Sequence, residues 1–142
     1  MATMIAVLYQ GGRSVKVTEV PKPEPGPRDA VVRVAAEGIC GSDLLIWWNN
    51  DKPETKPAGH EVAGEIVEVG EGVDPDRVGE RVAIDTLGYG VACTWCWYCR
   101  MGQPVQCQNK AEDSGGGYAQ FIRRRAVGCF PVPDHVSWED AA

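Results

Sequence analysis

Apolar and polar residues alternate with a period of two along several short segments of the chain, the pattern typical of half-buried β-strands. Residues 64–69, for example, read Gly-Glu-Ile-Val-Glu-Val and are rich in β-branched side chains. A short helix is predicted to begin near Ser42 or Asp43, either of which is a suitable N-cap, and to continue through Trp47. The predicted strands are residues 5–9, 15–20, 30–36, 64–69, 81–85, 118–123 and 127–131.

Glycine and proline interrupt these segments often enough to supply a turn between successive strands. The 142 residues include 17 Gly and 10 Pro. Four of the prolines fall between residues 21 and 27, and because proline cannot donate to a strand ladder, that stretch is predicted to be a surface connection. Short strands separated by turns predict an antiparallel barrel or sandwich, and the length suits one domain with a real hydrophobic core.

The charge balance and the shortness of the apolar runs limit the partners that are expected. The net charge is -6, from 20 acidic and 14 basic residues, which argues against binding to a nucleic-acid backbone. Purely apolar runs such as residues 44–48 are far too short to span a bilayer, and the N-terminus does not read as a secretory signal. We therefore expect a cytoplasmic protein with no nucleic-acid or membrane partner.

The strongest local signal is a cluster of four cysteines, Cys93, Cys96, Cys99 and Cys107, within fifteen residues. Four thiolates complete the tetrahedral shell of a zinc ion and leave no open position, so the spacing predicts a structural zinc site. Two disulfides are one alternative, but a reducing cytosol disfavours them. An iron–sulfur cluster is the other alternative, although seven residues separate Cys99 from Cys107 where the ferredoxin spacing has three.

A second group combines different ligand types. It contains Cys40, Ser42 and Asp43 and, twenty residues after the cysteine, His60 and Glu61. A thiolate, an imidazole and a carboxylate are too few to close a zinc shell, as a catalytic site requires. On spacing alone, a metal site here competes with two ordinary interpretations, a buried core cysteine and a surface His-Glu pair.

Several motifs follow one another along nearly the whole chain. They are Cys40-Gly-Ser-Asp43, Gly59-His-Glu-Val-Ala-Gly64, Gly79-Glu-Arg-Val82, the four-cysteine segment, Gly116-Gly-Tyr-Ala119 and Pro131-Val-Pro-Asp134. In this order they resemble the N-terminal catalytic domain of the zinc-dependent medium-chain alcohol and polyol dehydrogenases. The resemblance implies a mainly β fold, a partly open GroES-like β-barrel with short helices. It also implies a zinc-binding lobe at about residues 86–113 and one domain over residues 1–142.

The resemblance also assigns roles to individual residues. Cys40 and His60 are implied to bind the catalytic zinc, with Glu61 beside them as a direct or intermittent ligand and a catalytic residue. Ser42 is implied to hold the substrate hydroxyl and to pass on its proton. Asp43 is implied to orient the imidazole of His60, and its alternative role is a plain helix N-cap. The structural zinc is implied to be bound by Cys93, Cys96, Cys99 and Cys107.

The implied reaction is oxidation of an alcohol or polyol, or reduction of the carbonyl, with zinc polarising the substrate oxygen and NAD or NADP exchanging the hydride. The sequence has no Gly-x-Gly-x-x-Gly loop, so the nicotinamide site and its Rossmann domain are expected to lie outside this chain. We therefore expect a fragment that does not turn over alone, binds the catalytic zinc incompletely, and forms oligomers only with the missing domain.

Two alternative functions belong to other classes of protein. One is a stand-alone zinc-stabilised GroES-like barrel that acts as a binding module, and the other is a small iron–sulfur electron carrier.

Individual residues outside the ligand sets also carry expectations. One departure from the family is Leu45, at a position where many members carry a histidine that continues the proton relay. The three arginines at 123–125 are expected on a solvated strand edge, Cys129 as a buried free thiol, and His135 in a surface turn.

Overall fold

Seven β-strands and three short α-helices form the framework of the chain in the computed structural model, which describes residues 2–112 and 114–142. Met1 and Asp113, which belong to the predicted domain 1–142, lie outside the described residues. The strands are β1 (Thr3–Gly11), β2 (Ser14–Pro21), β3 (Asp29–Glu37), β4 (Glu61–Val69), β5 (Arg81–Asp85), β6 (Phe121–Arg125) and β7 (Cys129–Pro131). The helices are α1 (Gly41–Asn49), α2 (Trp97–Arg100) and α3 (Trp138–Ala141), with 3-10 turns at Pro75–Arg77, Pro104–Gln106 and Ala126–Gly128.

The strands form two antiparallel sheets. β1 and β2 make a hairpin, and the other five strands pair in the order β6-β3-β4-β5-β7. The hairpin joins the larger sheet through a bridge between Ala6 and Ala119 and through the Val7 N–H, which donates to the Tyr118 carbonyl at 2.8 Å. Among the described residues, β6 and β7 are not paired with each other, so the barrel is only partly closed. The prediction of a mainly β, partly open barrel is confirmed.

The hydrophobic core explains the alternating pattern in the sequence. In β5, Val82 and Ile84 are buried while the residues on either side of them are only partly buried. Val32 of β3 and Ile66 of β4 have no exposed surface. The core consists of Ala30, Val32, Val62, Ile66, Val82, Ile84, Ile122, Ala126 and Cys129. Cys129 is 3% exposed, which confirms the prediction of a buried thiol. Within the described residues, no helix is long and apolar enough to span a bilayer.

The first helix begins earlier than predicted. Its N-cap is Cys40, so the prediction of a cap at Ser42 or Asp43 is wrong. Asp43 is the third residue of the helix, and its carboxylate accepts the Cys40 N–H at 2.9 Å. An acidic side chain at the third helical position can accept a hydrogen bond from the backbone N–H of the N-cap residue, as one half of a capping box does. A helix does begin in this region, but its N-cap lies two or three residues before the predicted one.

The boundaries of the last two strands also differ from the prediction. The strand expected at 118–123 is Phe121–Arg125, because the backbone of Tyr118 bonds instead to β1 and to the Ala58 carbonyl. The strand expected at 127–131 is reduced to Cys129–Pro131, because a 3-10 turn precedes it. In that turn Gly128 passes so close to Gly90 that a Cβ atom would lie 2.2 Å from the Gly90 nitrogen.

The three arginines of β6 are not solvated as expected, although β6 is an edge strand. Arg124 is 6% exposed. Arg123 and Arg125 flank the buried carboxylate of Asp29 at the start of β3, with Arg125 Nη1 at 2.9 Å from Oδ1 and Arg123 Nε at 3.7 Å from Oδ2. Opposite charges across the β3-β6 pair therefore replace the solvated edge of the prediction. His135 is exposed in a turn, as predicted.

We expect Asp29→Asn to lower the free energy of unfolding by about 2 kcal/mol, because it removes the negative charge that two mostly buried guanidinium groups share. Urea denaturation would measure the change. Glu65→Gln is the matched control, since its partner Arg33 is more than half exposed and the pair is worth about 0.5 kcal/mol or less. Equal losses in the two variants would contradict this account of β6.

Candidate active site and metal centres

The four cysteines of the predicted lobe converge on one point. Their Sγ atoms all lie within 4.8 Å of one another, and none of the four forms a disulfide. Three of the Sγ separations are 3.9 Å for Cys93 and Cys99, 3.5 Å for Cys96 and Cys99, and 4.0 Å for Cys96 and Cys107. A tetrahedron with zinc–sulfur bonds of 2.3 Å has edges of about 3.8 Å. The donor set therefore fits a zinc ion.

The lobe shapes this cluster through short turns. Cys96 is the N-cap of α2, Cys99 lies inside that helix, and Cys107 ends the 3-10 turn Pro104–Gln106. Backbone N–H groups donate to the sulfurs: Cys96 N to Cys93 Sγ and Asn109 N to Cys107 Sγ, both at 3.3 Å. Such donors stabilise thiolates, the form that binds a metal.

The thiols of the lobe differ in acidity when no ion is bound. Backbone N–H groups of Cys99 and Gln108 lower the pKa of Cys96 to about 6. Burial raises the pKa of Cys99 to about 12, and its side chain is almost fully enclosed. A positive ion at the centre would favour the thiolate form of every member, so metal binding and deprotonation are coupled here.

The second group is assembled from two separate segments of the chain. Cys40 caps α1, His60 precedes β4, and Glu61 is the first residue of β4. One ligand atom from each of the three lies within 4.8 Å of the others, and all three side chains are partly buried. Gly59 has a φ of 95°, and a Cβ there would lie 2.3 Å from a carboxylate oxygen of Glu37. The positive φ, which L side chains rarely adopt, therefore favours glycine at the position before His60.

Ser42 and Asp43 contact opposite sides of the His60 ring. Ser42 Oγ lies 3.3 Å from His60 Nε2, and Ser42 is exposed. Asp43 Oδ1 lies 3.7 Å from His60 Nδ1, and Asp43 is 1% exposed. This Oδ1 atom is buried without a hydrogen-bond partner in the structure. An acceptor of this kind fits an imidazole whose Nδ1 proton faces it and whose Nε2 is free for a metal.

Two functional neighbours were not found from the sequence. The Tyr118 hydroxyl donates to Asp43 Oδ2 at 2.9 Å, and burial together with this carboxylate raises the pKa of Tyr118. Glu37 Oε1 accepts the Glu61 N–H at 3.3 Å, and burial raises the pKa of Glu37 to about 8. The available signals were weak: Tyr118 stands in the Gly-Gly-Tyr-Ala motif, and Glu37 is a charge at the end of an apolar strand.

A cleft of about 430 Å³ opens beside this group. His60, Thr86 and Leu87 are among its walls, and the Thr86 hydroxyl donates to the His60 carbonyl at 3.0 Å. Leu45, at the position where the resembling family often has histidine, is 63% exposed on α1. The cleft is large enough for a small organic molecule next to the imidazole.

Comparison with known proteins identifies the class. The family described as the alcohol dehydrogenase GroES-like domain matches residues 26–134, and the chain belongs to this family. This confirms the resemblance seen in the sequence motifs. The relatives are dehydrogenases, which favours the oxidoreductase hypothesis over a stand-alone binding module and over an iron–sulfur carrier.

Individual relatives are similar over nearly all of this chain. L-Threonine 3-dehydrogenase of Pyrococcus horikoshii is 39% identical over 97% of the chain, and sorbitol dehydrogenase of Bacillus subtilis is 35% identical over 98%. The crystal structure of an alcohol dehydrogenase from Escherichia coli CFT073, complexed with NADH, is 33% identical over 99% of the chain with a TM-score of 0.82. The chain spans only 41% of the length of each of the two sequence relatives and 42% of that crystal structure's chain.

We expect Cys99→Ser to abolish tight zinc binding by the lobe and to lower the melting temperature or unfold the lobe. Closed zinc sites in small modules are coupled to folding with apparent energies of about 10–16 kcal/mol. Zinc content after dialysis against a mild chelator, together with thermal unfolding, would measure both effects. Cys129→Ala removes a buried thiol outside the cluster and should keep its zinc. Equal zinc contents in the two variants would contradict a four-cysteine site.

Proposed function

We propose that this chain is the catalytic part of a zinc-dependent oxidoreductase that oxidises an alcohol or polyol to the carbonyl, or runs the reverse reaction, with NAD or NADP. The observation that carries the proposal is the convergence of Cys40, His60 and Glu61 with the Ser42 hydroxyl 3.3 Å from the imidazole. The relatives named for threonine, sorbitol and alcohol support a hydroxyl-bearing small molecule as substrate.

In this proposal the two metal sites have different tasks. Cys93, Cys96, Cys99 and Cys107 hold a structural zinc, because four thiolates close the shell. Cys40, His60 and Glu61 hold the catalytic zinc and leave a coordination position open, with Glu61 able to act as a direct or an intermittent ligand. A zinc ion bound there supplies a Lewis acid that polarises the substrate oxygen.

Ser42 is proposed to accept the hydrogen bond of the substrate hydroxyl and to carry its proton away. Its Oγ lies next to the proposed ligand set and is exposed, so the proton has a direct route to water. Leu45 offers no acceptor one helical turn further on. The path through this chain is therefore short, from the substrate through one hydroxyl to solvent.

Asp43 is proposed to hold the imidazole that binds the metal. Its buried carboxylate keeps Oδ1 facing His60 Nδ1, so the ring presents Nε2 on the Ser42 side. The sequence left this role open against that of a helix N-cap. The position of Oδ1 beside His60 supports the orienting role. Asp43 also helps to cap the helix, because its Oδ2 accepts the N–H of the N-cap residue Cys40.

The nicotinamide is proposed to bind a Rossmann domain outside these 142 residues, where the subunit contacts would also lie. All strand pairs of the described residues are antiparallel, whereas a dinucleotide fold needs parallel strands joined by helices. We also propose a cytoplasmic location, because all six cysteines are free and a reducing compartment keeps thiols in that form.

Cobalt binding tests the proposed catalytic site. With the lobe filled by zinc, we expect one further Co²⁺ to bind with a thiolate charge-transfer band, and the visible bands to shift on addition of a short-chain alcohol, because a coordination position is open. Cys40→Ser should abolish the charge-transfer band, and Cys129→Ala, a thiol outside both groups, should retain it. Identical spectra for the wild type and the Cys40→Ser variant would overturn this site.

The purified 142-residue chain is expected to show no reduction of NAD or NADP with any alcohol above the blank rate, since it has no nicotinamide site in this proposal. The assay would follow absorbance of the reduced nicotinamide with zinc present. Turnover above the blank would contradict the assignment of the nicotinamide to a second domain, while leaving the metal assignment to the cobalt experiment.

A further inference from the structure

The Asp43 carboxylate is satisfied unequally at its two oxygens. Oδ2 accepts two hydrogen bonds, from the Cys40 N–H and from the Tyr118 hydroxyl, both at 2.9 Å. Within the described part of the chain, Oδ1 has no hydrogen-bond partner, and it lies 3.7 Å from His60 Nδ1. Because the whole residue is buried, water does not compete for either oxygen. The position of the imidazole relative to Asp43 therefore depends on what holds Oδ2.

Hydrogen bonds of both the backbone and the hydroxyl hold Tyr118 in place beside Asp43. Its N–H donates to the Ala58 carbonyl at 2.9 Å, and its carbonyl accepts the Val7 N–H at 2.8 Å. The hydroxyl has two acceptors in reach, Asp43 Oδ2 at 2.9 Å and the Gly38 carbonyl at 3.3 Å. A single hydroxyl proton goes to the shorter and charged partner, because hydrogen bonds to ionised acceptors are the stronger ones.

We propose that Tyr118 is a positioning residue: by occupying Oδ2 of Asp43 it leaves Oδ1 as the acceptor for His60, and so fixes the tautomer and orientation of the imidazole. His60 then carries its proton on Nδ1, and the lone pair of Nε2 is directed to the Ser42 hydroxyl, 3.3 Å away, on the side where a metal would bind. The consequence for metal affinity rests on the proposed function. The consequence for the imidazole does not, because it concerns only side chains of this chain and is tested with no metal added at the second site.

Tyr9 provides a matched comparison within the same site. Its hydroxyl also approaches Asp43, but it donates to the backbone carbonyl at 3.4 Å, and among the described residues it forms no hydrogen bond with the carboxylate. Tyr9 is buried and Tyr118 is partly buried, and both lie beside the same residue. Replacing either by phenylalanine removes one hydroxyl oxygen, so a general effect of losing a hydroxyl near Asp43 would be common to both variants.

The first experiment compares the wild type, Tyr118→Phe and Tyr9→Phe in the 142-residue chain by nitrogen–proton correlation NMR of the histidine rings, with the lobe loaded with zinc and no further metal added. The chain has 2 His, and a His135→Gln variant assigns the signals of His60. We expect the Nδ1-protonated tautomer in the wild type and Tyr9→Phe, and a mixture of tautomers in Tyr118→Phe.

The second experiment measures the affinity of the same three proteins for one further Co²⁺ by competition with a chelator. We expect Tyr118→Phe to bind about tenfold more weakly, the lower end of the effect of removing support behind a metal-binding histidine. Tyr9→Phe should stay within about twofold of the wild type. The zinc content of the four-cysteine lobe should be the same in all three, which shows that the fold is intact.

The outcomes separate this inference from the proposed function. If Tyr118→Phe matches Tyr9→Phe in tautomer, the inference is overturned, and a lower melting temperature without a tautomer change would give Tyr118 a structural role only. If the wild type binds no further cobalt, the proposed catalytic site fails, while the NMR comparison still decides the role of Tyr118.

Discussion

The buried carboxylate of Asp43 anchors the first helix to the barrel, and Trp47 is the one apolar side chain of that helix that is partly buried. Asp43 is the buried residue of α1, whereas Leu44, Leu45 and Trp48 are all more than half exposed. A charge removed from water is tolerated only where donors replace the water, and the Cys40 N–H and the Tyr118 hydroxyl do so here. One polar anchor therefore positions the helix N-terminus against the strand that begins at Glu61.

That anchor explains why the two candidate metal sites are built so differently. The four-cysteine cluster comes from one short segment whose turns are closed by local N–H to sulfur contacts, so its geometry needs little from the barrel. The group of Cys40, His60 and Glu61 exists only when α1 docks on the start of β4. If these sites bind metal as proposed, binding in the lobe would be coupled to local folding, and binding at the second site to the docking of one helix.

Much of this was predictable from the sequence because it is periodic or local. Alternation located most of the seven strands, since strands such as β5 bury every second residue. Cysteine spacing located the four-cysteine cluster, and the resemblance supplied the bounds of the lobe around it. The errors came from single tertiary contacts, which have no period: the start of α1 moved because Asp43 turned back to the Cys40 N–H, and β6 started late because Tyr118 bonds to β1.

Charged contacts between residues far apart in the sequence could not be predicted either. A run of three arginines gives no sign that Asp29, almost a hundred residues earlier, lies between two of them. Glu37 is a similar case, because only the fold places it under the Glu61 N–H with one oxygen buried and without a partner. Motif resemblance supplied the catalytic candidates, but the groups that support them, Tyr118 and Glu37, became visible only with the packing.

The polar anchor also bears on proton movement in the proposed reaction. A helix docked by an apolar stripe would cover its N-terminal turn, whereas docking through Asp43 leaves the neighbouring Ser42 hydroxyl exposed while keeping it 3.3 Å from His60. In the proposed reaction Leu45, which offers no acceptor, does not close this route, because Ser42 itself is exposed.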